Sequence, residues 1–205
     1  MEIIFATKNA GKLKEIKDAL EQPDNTFYVI SAQDAGISAD VVEDGDTYEA
    51  NAIKKAETVC RLSNRLTLAD DSGIEIDCLD KQPGVYSARY LGKHTPYTEK
   101  NRIILDKLTN VPDALRTARY VCVIAAAFPG GGLHTERGVI EGLIAREISS
   151  GINGFGYDPI FFLPEYGKAM SDIPMELKNR ISHRGLALGK MKAYLYWRTL
   201  KFANS

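Results

Sequence analysis

The sequence is poor in cysteine and has no long apolar run, and each shortage excludes a class of protein. Its three cysteines, Cys60, Cys78 and Cys122, are far apart and form no CxxC pair. Their number and spacing argue against a disulfide framework and a zinc site, so we expect three small buried side chains. No run of about eighteen apolar residues could cross a membrane, and residues 2–6 are too few for a signal peptide. A cytoplasmic protein with no membrane partner is predicted.

The sequence also lacks an excess of charge of either sign. Its 26 Lys and Arg residues and 27 Asp and Glu residues are intermixed, and the formal net charge is -1. A nucleic-acid backbone is bound by a broad basic surface, so we expect no nucleic-acid partner. Local lysines and arginines must then bind any anionic ligand.

Apolar periodicity predicts strands and helices that do not alternate strictly. The predicted strands cover residues 2–6, 27–31, 66–69, 74–78, 118–128 and 133–141, the last two forming a hairpin around PGGG. The predicted helices cover residues 12–20, from a cap at 46 or 47 to about 64, 98–108 and 183 to about 200. No repeat or Pro-rich linker divides residues 1–205, so a single α/β or α+β domain with a mixed sheet is expected.

The segment FATKNAGK, residues 5–12, places a polar loop between the first strand and the first helix. Backbone N–H groups and the helix dipole favour an anion there, and Lys12 adds a positive charge. The segment is not a Walker loop, because it lacks the first Gly and the Ser or Thr after the Lys. An ordinary capped helix start with a solvated lysine is the competing interpretation.

Acidic residues precede the second predicted helix, which is basic. Glu43, Asp44 and Asp46 come before the helix that contains Lys54 and Lys55. A metal-bound polyphosphate needs both kinds of group, oxygen ligands for Mg²⁺ and cations for the remaining phosphate oxygens. Alternatively, the carboxylates only complement the helix dipole.

The motif ADDSG, residues 69–73, sets two aspartates between predicted strands. Adjacent carboxylates repel each other unless a metal or a proton relieves the charge. One of them can then bind Mg²⁺ or take a proton from water, while Ser72 hydrogen-bonds phosphate or sugar. A plain turn at a sharp Gly73 bend is the alternative.

The motif GFGYDP, residues 154–159, combines flexible glycines with two aromatic rings and an acid. Phe155 and Tyr157 can stack on a planar base, and Asp158 can accept its N–H. A loop packed into the core is the competing interpretation.

The motif SHRG, residues 182–185, begins the last predicted helix. Arg184 can donate to a base carbonyl and His183 to a second acceptor, although a lone histidine is more often structural. Lys178 precedes this motif by one to two helical turns if the helix before it is regular.

Together, these motifs resemble the Ham1/RdgB family of inosine triphosphate pyrophosphatases. The resemblance spans almost the whole chain and rests on TKNAGK at 7–12, TYEANAIKKA at 47–56, ADDSG at 69–73, PGVYSARY at 83–90, GFGYDPIF at 154–161 and SHRG at 182–185. It implies Mg²⁺-dependent hydrolysis of ITP, dITP and XTP to the monophosphate and pyrophosphate. It also implies a homodimer and an α/β fold with a long central mixed β-sheet, whose flanking helices form two lobes around a substrate cleft.

The resemblance further implies a role for each matching residue. The implied triphosphate contacts are Thr7, Asn9, Lys12, Lys55 and Lys178. The implied Mg²⁺ ligands are Glu43 and Asp71, and Asp71 is also the best candidate to activate water for attack on the α-phosphorus. Asp70 and Ser72 complete the acidic motif. The implied base pocket consists of Phe155, Tyr157, Asp158, His183 and Arg184.

Two other function classes compete with a pyrophosphatase. A noncatalytic nucleotide sensor would bind the same ligands, but it would not need a carboxylate that activates water. A kinase-like phosphotransferase is disfavoured because no Walker loop or GxGxxG accompanies the acidic residues. The reaction products distinguish all three classes.

Overall fold

The computed structural model describes residues 1–21 and 26–203, and within them it shows a mixed seven-stranded sheet in the order β2-β1-β3-β4-β5-β6-β7. The strands are β1 Glu2–Phe5, β2 Tyr28–Ser31, β3 Thr67–Ile76, β4 Thr117–Ala127, β5 Leu133–Ile144, β6 Phe161–Leu163 and β7 Lys168–Ala169. Strand β1 pairs in parallel with β2 and β3, whereas β6 pairs antiparallel with β5 and β7. The predicted mixed sheet is therefore confirmed.

Five α-helices flank the sheet among the described residues. They are α1 Ala10–Leu20, α2 Tyr48–Ser63, α3 Tyr97–Lys107, α4 Met175–Ile181 and α5 His183–Ala203. The Thr47 hydroxyl accepts from the Ala50 amide at the start of α2, and Asn64 ends that helix in the left-handed conformation. Both residues satisfy backbone groups that a helix end leaves unpaired, which is why the sequence predicted these boundaries. No described helix is long and apolar enough to cross a membrane.

The chain divides into two compact units, and unit 1 comprises Met1–Asp71, Cys122–Gly138 and His183–Ser205. Its core contains side chains from β1, β3, β4 and α5, among them Ile3, Phe5, Leu68, Ile124, Met191 and Leu195. Each such side chain contributes about 1.5–3 kcal/mol to folding when it is fully buried. This core fixes β1 and the first half of β3 beside α1 and α5.

Unit 2 comprises Ser72–Val121 and Val139–Ser182. Its core contains side chains from β3, α3, β4 and β6, among them Ile74, Ile76, Ile104, Tyr120 and Phe161. The Gly-rich segment 154–159 leads from this core into β6, and α4 follows β7.

The prediction of two separate strands around ADDSG, 66–69 and 74–78, is wrong, because β3 continues without a break from Thr67 to Ile76, which also excludes the alternative of a plain turn. Successive side chains in a strand point to opposite faces, so Asp70 and Asp71 are directed apart and repel each other less than they would in a turn. Asp70 is only 1% exposed, and Lys12 and Arg184 pair with it. The strand tolerates the acidic pair because cations from distant parts of the sequence neutralise Asp70 and the Asn51 side chain hydrogen-bonds Asp71.

The expectation of three buried cysteines is wrong for one of them. Cys60 and Cys122 are buried, whereas Cys78 is exposed at the short helical turn that follows β3. Burial raises the pKa of the Cys122 thiol to about 12. Of the three thiols, Cys78 is therefore the accessible one.

Helix α5 begins against the backbone of β5. Gly138 of β5 is buried, and a Cβ atom there would collide with the His183 carbonyl oxygen and lie 2.7 Å from the Ala187 amide nitrogen. Only glycine leaves room for this approach. The first turn of α5 is thereby fixed on the strand, together with His183 and Arg184.

Candidate active site

Two residues of the loop between β1 and α1 form its local hydrogen bonds. The Thr7 hydroxyl accepts from the Asn9 amide at 3.1 Å, and the Asn9 side chain caps α1 by accepting from the Lys12 amide at 3.1 Å. The first turn of α1 contains no acidic residue, so its positive end is not compensated there. The loop and the helix start therefore suit an anion, as the sequence predicted.

Asp70 is the centre of a buried ion-pair cluster in unit 1. Its Oδ2 atom lies 2.9 Å from the Lys12 ammonium and 3.3 Å from two guanidinium nitrogens of Arg184. Burial alone would raise the pKa of Asp70, but attraction to Lys12 and Arg184 outweighs it and holds that pKa well below its ordinary value. Asp70 therefore remains an anion that organises two cations.

Arg184 has a second carboxylate partner, which the sequence analysis missed. Its Nη1 atom donates to Glu15 of α1, and both side chains are almost completely buried. In the sequence, Glu15 looks like one more charged residue between helix lysines. Only its helical spacing, three residues after Lys12 and next to buried Ile16, places it on an inward face. Arg184 stays a predicted base contact, although its guanidinium is engaged with these two acids.

Asp71 differs from Asp70 in its surroundings. Its Oδ2 atom accepts a hydrogen bond of 3.0 Å from the Asn51 side chain, which also bonds the backbone of Gly45. Burial and the nearby Glu43 raise the pKa of Asp71 above its ordinary value, and Lys55, Lys12 and Asn51 only partly offset them. Sequence analysis also missed Asn51, and the available signal was its place in TYEANAIKKA, one of the segments that carry the family resemblance.

Glu43 and Lys55 form an ion pair beside the acidic motif. Burial would lower the pKa of Lys55, but the surrounding carboxylates, Asp70, Asp71 and Glu43, outweigh it and raise that pKa. Asp44, by contrast, is directed outward and pairs with Lys54 at 2.5 Å in an exposed contact. The structure thus separates Glu43 from its acidic neighbour, a distinction that the sequence did not provide.

The donor set around Asp71 suits a hard cation that is shared with a ligand. No cluster of three or more His, Cys, Asp or Glu side chains that could hold a metal occurs among the described residues. Mg²⁺ commonly takes only one or two protein carboxylates and completes its shell with phosphate oxygens and water. Burial raises the pKa of Asp71 most and repulsion by Glu43 adds to it, and a bound cation relieves such repulsion. The two carboxylates therefore fit the predicted ion.

In unit 2, Asp158 and Lys178 form a buried ion pair at the Gly-rich loop. The Asp158 Oδ2 atom accepts 2.8 Å hydrogen bonds from the Lys178 ammonium and from the Phe155 amide. The ammonium also lies 5.5 Å from the centre of the Phe155 ring. Lys178 was predicted among the triphosphate contacts, but the structure places it with two residues of the predicted base pocket.

The loop that holds this pair depends on Gly154. Its φ of +107° is a conformation that favours glycine, and a Cβ atom there would collide with the Asp158 carboxylate and the Lys178 ammonium. The chain can therefore pass close to the ion pair only because residue 154 has no side chain.

The two aromatic residues of the Gly-rich loop have different surroundings. Phe155 is 37% exposed, whereas Tyr157 is 3% exposed and packs edge-on against Tyr97. The Tyr157 hydroxyl donates to the Ser87 carbonyl at 2.8 Å, and burial raises its pKa. For Tyr157 the structure matches the core-packed alternative, so its predicted stacking on a base is corrected to a packing role, and Phe155 offers the accessible ring.

The structure brings together two separate groups of predicted residues. In unit 1, these residues come from the loop after β1, the start of α1, the loop before α2, α2 itself, the middle of β3 and the start of α5. They are Thr7, Asn9, Lys12, Glu43, Lys55, Asp70, Asp71, His183 and Arg184. In unit 2, the Gly-rich loop and α4 present Phe155, Asp158 and Lys178, and Ser72 follows Asp71 within β3. The first group combines carboxylates with cations, and the second combines one buried ion pair with an exposed ring.

Known proteins share this chain's sequence and fold. The model of the Ham1 family matches residues 3–194. A dITP/XTP pyrophosphatase of Desulforamulus reducens is 46% identical over 190 residues, covering 93% of each chain. The corresponding enzyme of Bacillus subtilis is 42% identical over 194 residues, covering 95% of this chain and 96% of its own.

Solved structures give the same result for the fold. A HAM1 protein from Coxiella burnetii superposes with a TM-score of 0.86 at 37% identity, covering 96% of this chain and 98% of its own. The Ham1 protein of Staphylococcus aureus superposes with a TM-score of 0.85 at 38% identity, covering 97% of this chain and all of its own. The sheet order and the flanking helices are therefore those of a known fold.

Proposed function

Since the chain belongs to the Ham1 family, we propose that it hydrolyses noncanonical purine nucleoside triphosphates, dITP, ITP and XTP, to the monophosphate and pyrophosphate. The observation that carries this proposal is the arrangement in unit 1, where the carboxylates of Asp71 and Glu43 lie around the Lys55 ammonium and Asn51 holds Asp71. Lys12 and the uncompensated start of α1 lie next to the same strand. Names of similar proteins support the same substrate class.

We assign the phosphate chemistry to residues of unit 1. Lys12, Lys55 and the loop with Thr7 and Asn9 would bind the triphosphate and neutralise the charge that develops on the leaving pyrophosphate. Asp71, which is held by Asn51, would orient a water molecule for attack in line on the α-phosphorus and take its proton. The new bond joins the water oxygen to that phosphorus, and the bond to the bridging oxygen of pyrophosphate breaks.

The two acids of ADDSG have different roles in this proposal. Asp70, whose pKa is lowered, would remain the anion that positions Lys12 and Arg184. Asp71, which is held by the Asn51 side chain and not by a buried arginine, would be the proton acceptor. Asp71 and Glu43 would together hold Mg²⁺, which when bound acts as a Lewis acid and polarises the phosphate oxygens.

We assign base recognition to the Asp158 and Lys178 pair, with stacking on Phe155. Base contacts from His183 and Arg184 stay predictions of the family resemblance. Hypoxanthine and xanthine present a carbonyl acceptor and an adjacent N–H donor, which a cation and a carboxylate can satisfy together. Adenine presents the reverse pattern and would leave buried charged groups unpaired. A mismatch of this kind can discriminate by about 10⁴-fold.

We propose that residues 1–205 act as one pyrophosphatase domain, because β3 runs without a break from unit 1 into unit 2. A homodimer and a cytoplasmic location stay predictions of the family resemblance. Sedimentation at several protein concentrations would test the dimer.

Product analysis tests the proposed reaction. Phosphorus NMR of ITP incubated with the protein and Mg²⁺ should show pyrophosphate and IMP, with far slower turnover of GTP and ATP. Orthophosphate with IDP would move the attack to the γ-phosphorus and contradict the mechanism. Binding without any turnover would support a nucleotide sensor, and a phosphorylated acceptor would support a phosphotransferase.

Substitution of Glu43 tests the metal assignment. We expect Glu43→Gln to raise the Mg²⁺ concentration for half-maximal activity by about tenfold or more, because one of two ligand carboxylates is lost. Asp44→Asn is the matched control, since it removes the neighbouring acid that pairs outward with Lys54. An equal Mg²⁺ requirement in both variants would remove Glu43 from the metal site.

A further inference from the structure

We propose that Glu15 is a positioning residue, because its buried carboxylate holds Arg184 so that Asp70 remains available to orient Lys12. This inference rests on the proposed function for the role of Lys12 at the phosphates. It assigns a role to a buried acid that the proposed mechanism does not otherwise use.

Four charged side chains define the geometry: Lys12, Asp70, Arg184 and Glu15. The Asp70 Oδ2 atom is shared between the Lys12 ammonium at 2.9 Å and two Arg184 nitrogens at 3.3 Å. The Arg184 contacts are long for N–H to oxygen hydrogen bonds, whereas the Lys12 contact has an ordinary length. Arg184 also donates to Glu15 through its third nitrogen, Nη1. Glu15 therefore draws the guanidinium partly away from Asp70.

Burial makes this arrangement sensitive to the loss of one charge. Glu15, Asp70 and Arg184 are each less than 9% exposed, so the loss of one partner leaves an uncompensated buried charge there. An arginine freed from Glu15 would close on Asp70 with both arms of its planar fork, the geometry that guanidinium and carboxylate groups prefer. Lys12 would then compete with a bidentate partner for the same oxygen.

The position of Glu15 on α1 couples this competition to the anion-binding loop. Glu15 lies one helical turn after Lys12, and Asn9 caps the same helix through the Lys12 amide. Glu15 and Lys12 are therefore the two ends of one series of ion pairs, in which Lys12 contacts Asp70, Asp70 contacts Arg184, and Arg184 contacts Glu15. A change at Glu15 reaches the ammonium without any contact between Glu15 and the substrate.

The test is a double-mutant cycle between Glu15 and Lys12 in the full-length protein. We expect Glu15→Gln to lower kcat/KM for ITP by about 30-fold, mostly through KM, because Lys12 binds phosphate in the ground state as well. In a Lys12→Met background, the same substitution should cost no more than about threefold. Asp18→Asn, which removes an exposed acid on the same helix, should leave kcat/KM unchanged.

An equal loss from Glu15→Gln in both backgrounds would assign Glu15 a purely structural role, and no loss in either would also overturn the proposal. If Glu15→Gln does not fold, Glu15→Asp keeps the charge but shortens the side chain. It should show a smaller loss, of about fivefold, that again disappears without Lys12, and full activity of this variant would contradict the positioning role.

Binding of inorganic triphosphate, measured by calorimetry, separates this inference from the proposed function. If the wild-type protein does not release pyrophosphate from ITP, the proposed function fails. The affinity cycle for inorganic triphosphate would still show whether Glu15 acts through Lys12. An affinity that is unchanged by Glu15→Gln would overturn the inference, even in an active enzyme.

Discussion

Replacing Asp71 with asparagine is expected to lower kcat for ITP by about 10³-fold and to change KM much less. Asparagine keeps the shape of the side chain but cannot take a proton from water and is a weaker ligand for Mg²⁺. The side-chain oxygen of the new asparagine can still accept the hydrogen bond that Asn51 donates to Asp71, so the variant should retain the local packing. Steady-state kinetics and a thermal unfolding curve on the same sample check both parts of this prediction.

The neighbouring acid provides the matched comparison. Asp70→Asn should lower the free energy of unfolding by about 3 kcal/mol, because it leaves the buried Arg184 and Lys12 with one carboxylate fewer. Asp71→Asn should cost much less stability. Near-normal turnover of Asp71→Asn would show that Asp71 does not activate the water. Equal losses of stability in the two variants would show that Asp70 is not the more important of the two acids for the fold.

Replacing Gly138 with alanine is expected to destabilise the fold by about 3 kcal/mol, because the new methyl group would collide with the backbone of α5. Backbone atoms cannot rotate away as a side chain can, so the first turn of α5 must shift. For a chain of this length, that loss corresponds to a melting temperature lower by roughly 6–12 °C. The same shift would move His183 and Arg184 and lower kcat/KM by about 10²-fold.

Gly189→Ala is the control for this prediction. Gly189 lies on the exposed face of α5, and a Cβ atom there would have no neighbour within 4 Å. Alanine favours a helix by about 1 kcal/mol over glycine, so this variant should be slightly more stable than the wild type with unchanged kinetics. A Gly138→Ala protein with wild-type stability would show that β5 and α5 are not locked together. Chemical denaturation measures all three proteins.

Local signals predicted most of the elements. Helix α2 is recognisable because Thr47 and Asn64 cap it and its apolar residues recur at helical spacing. The hairpin of β4 and β5 is recognisable because a long apolar run ends at PGGG. In each case the interactions that define the element lie within a few residues of one another, so the sequence contains them directly.

The acidic motif could not be predicted in this way. Aspartate and glycine disfavour a strand by themselves, so residues 69–73 look like a turn. Their neutralising partners are distant, and Arg184 follows Asp70 by 114 residues. Tertiary charge pairing therefore overrides local propensity in β3.

The candidate site shows the same limit. Its motifs indicated Lys12, Lys55 and the two aspartates, because each belongs to a short segment that contains the residue types that bind phosphate or Mg²⁺. Glu15 and Asn51 were missed, since their role is to hold Arg184 and Asp71, which only the fold brings next to them. For example, Arg184 lies 169 residues from Glu15. Sequence motifs thus identify side chains that meet a ligand more readily than those that hold other side chains.

The interleaved chain path of unit 1 has a consequence for its synthesis on the ribosome. Unit 1 takes residues from three separate stretches, and its core contains side chains of β1 and α5 together. All of unit 2 is translated before residue 183, so β1 must wait for α5 while most of the protein is being made. Nascent chains expose apolar surface during such a delay, which is when chaperones bind and when aggregation begins. Substitutions that weaken the docking of α5, Gly138→Ala among them, should therefore reduce the yield of folded protein more than their effect on the finished protein's stability would indicate.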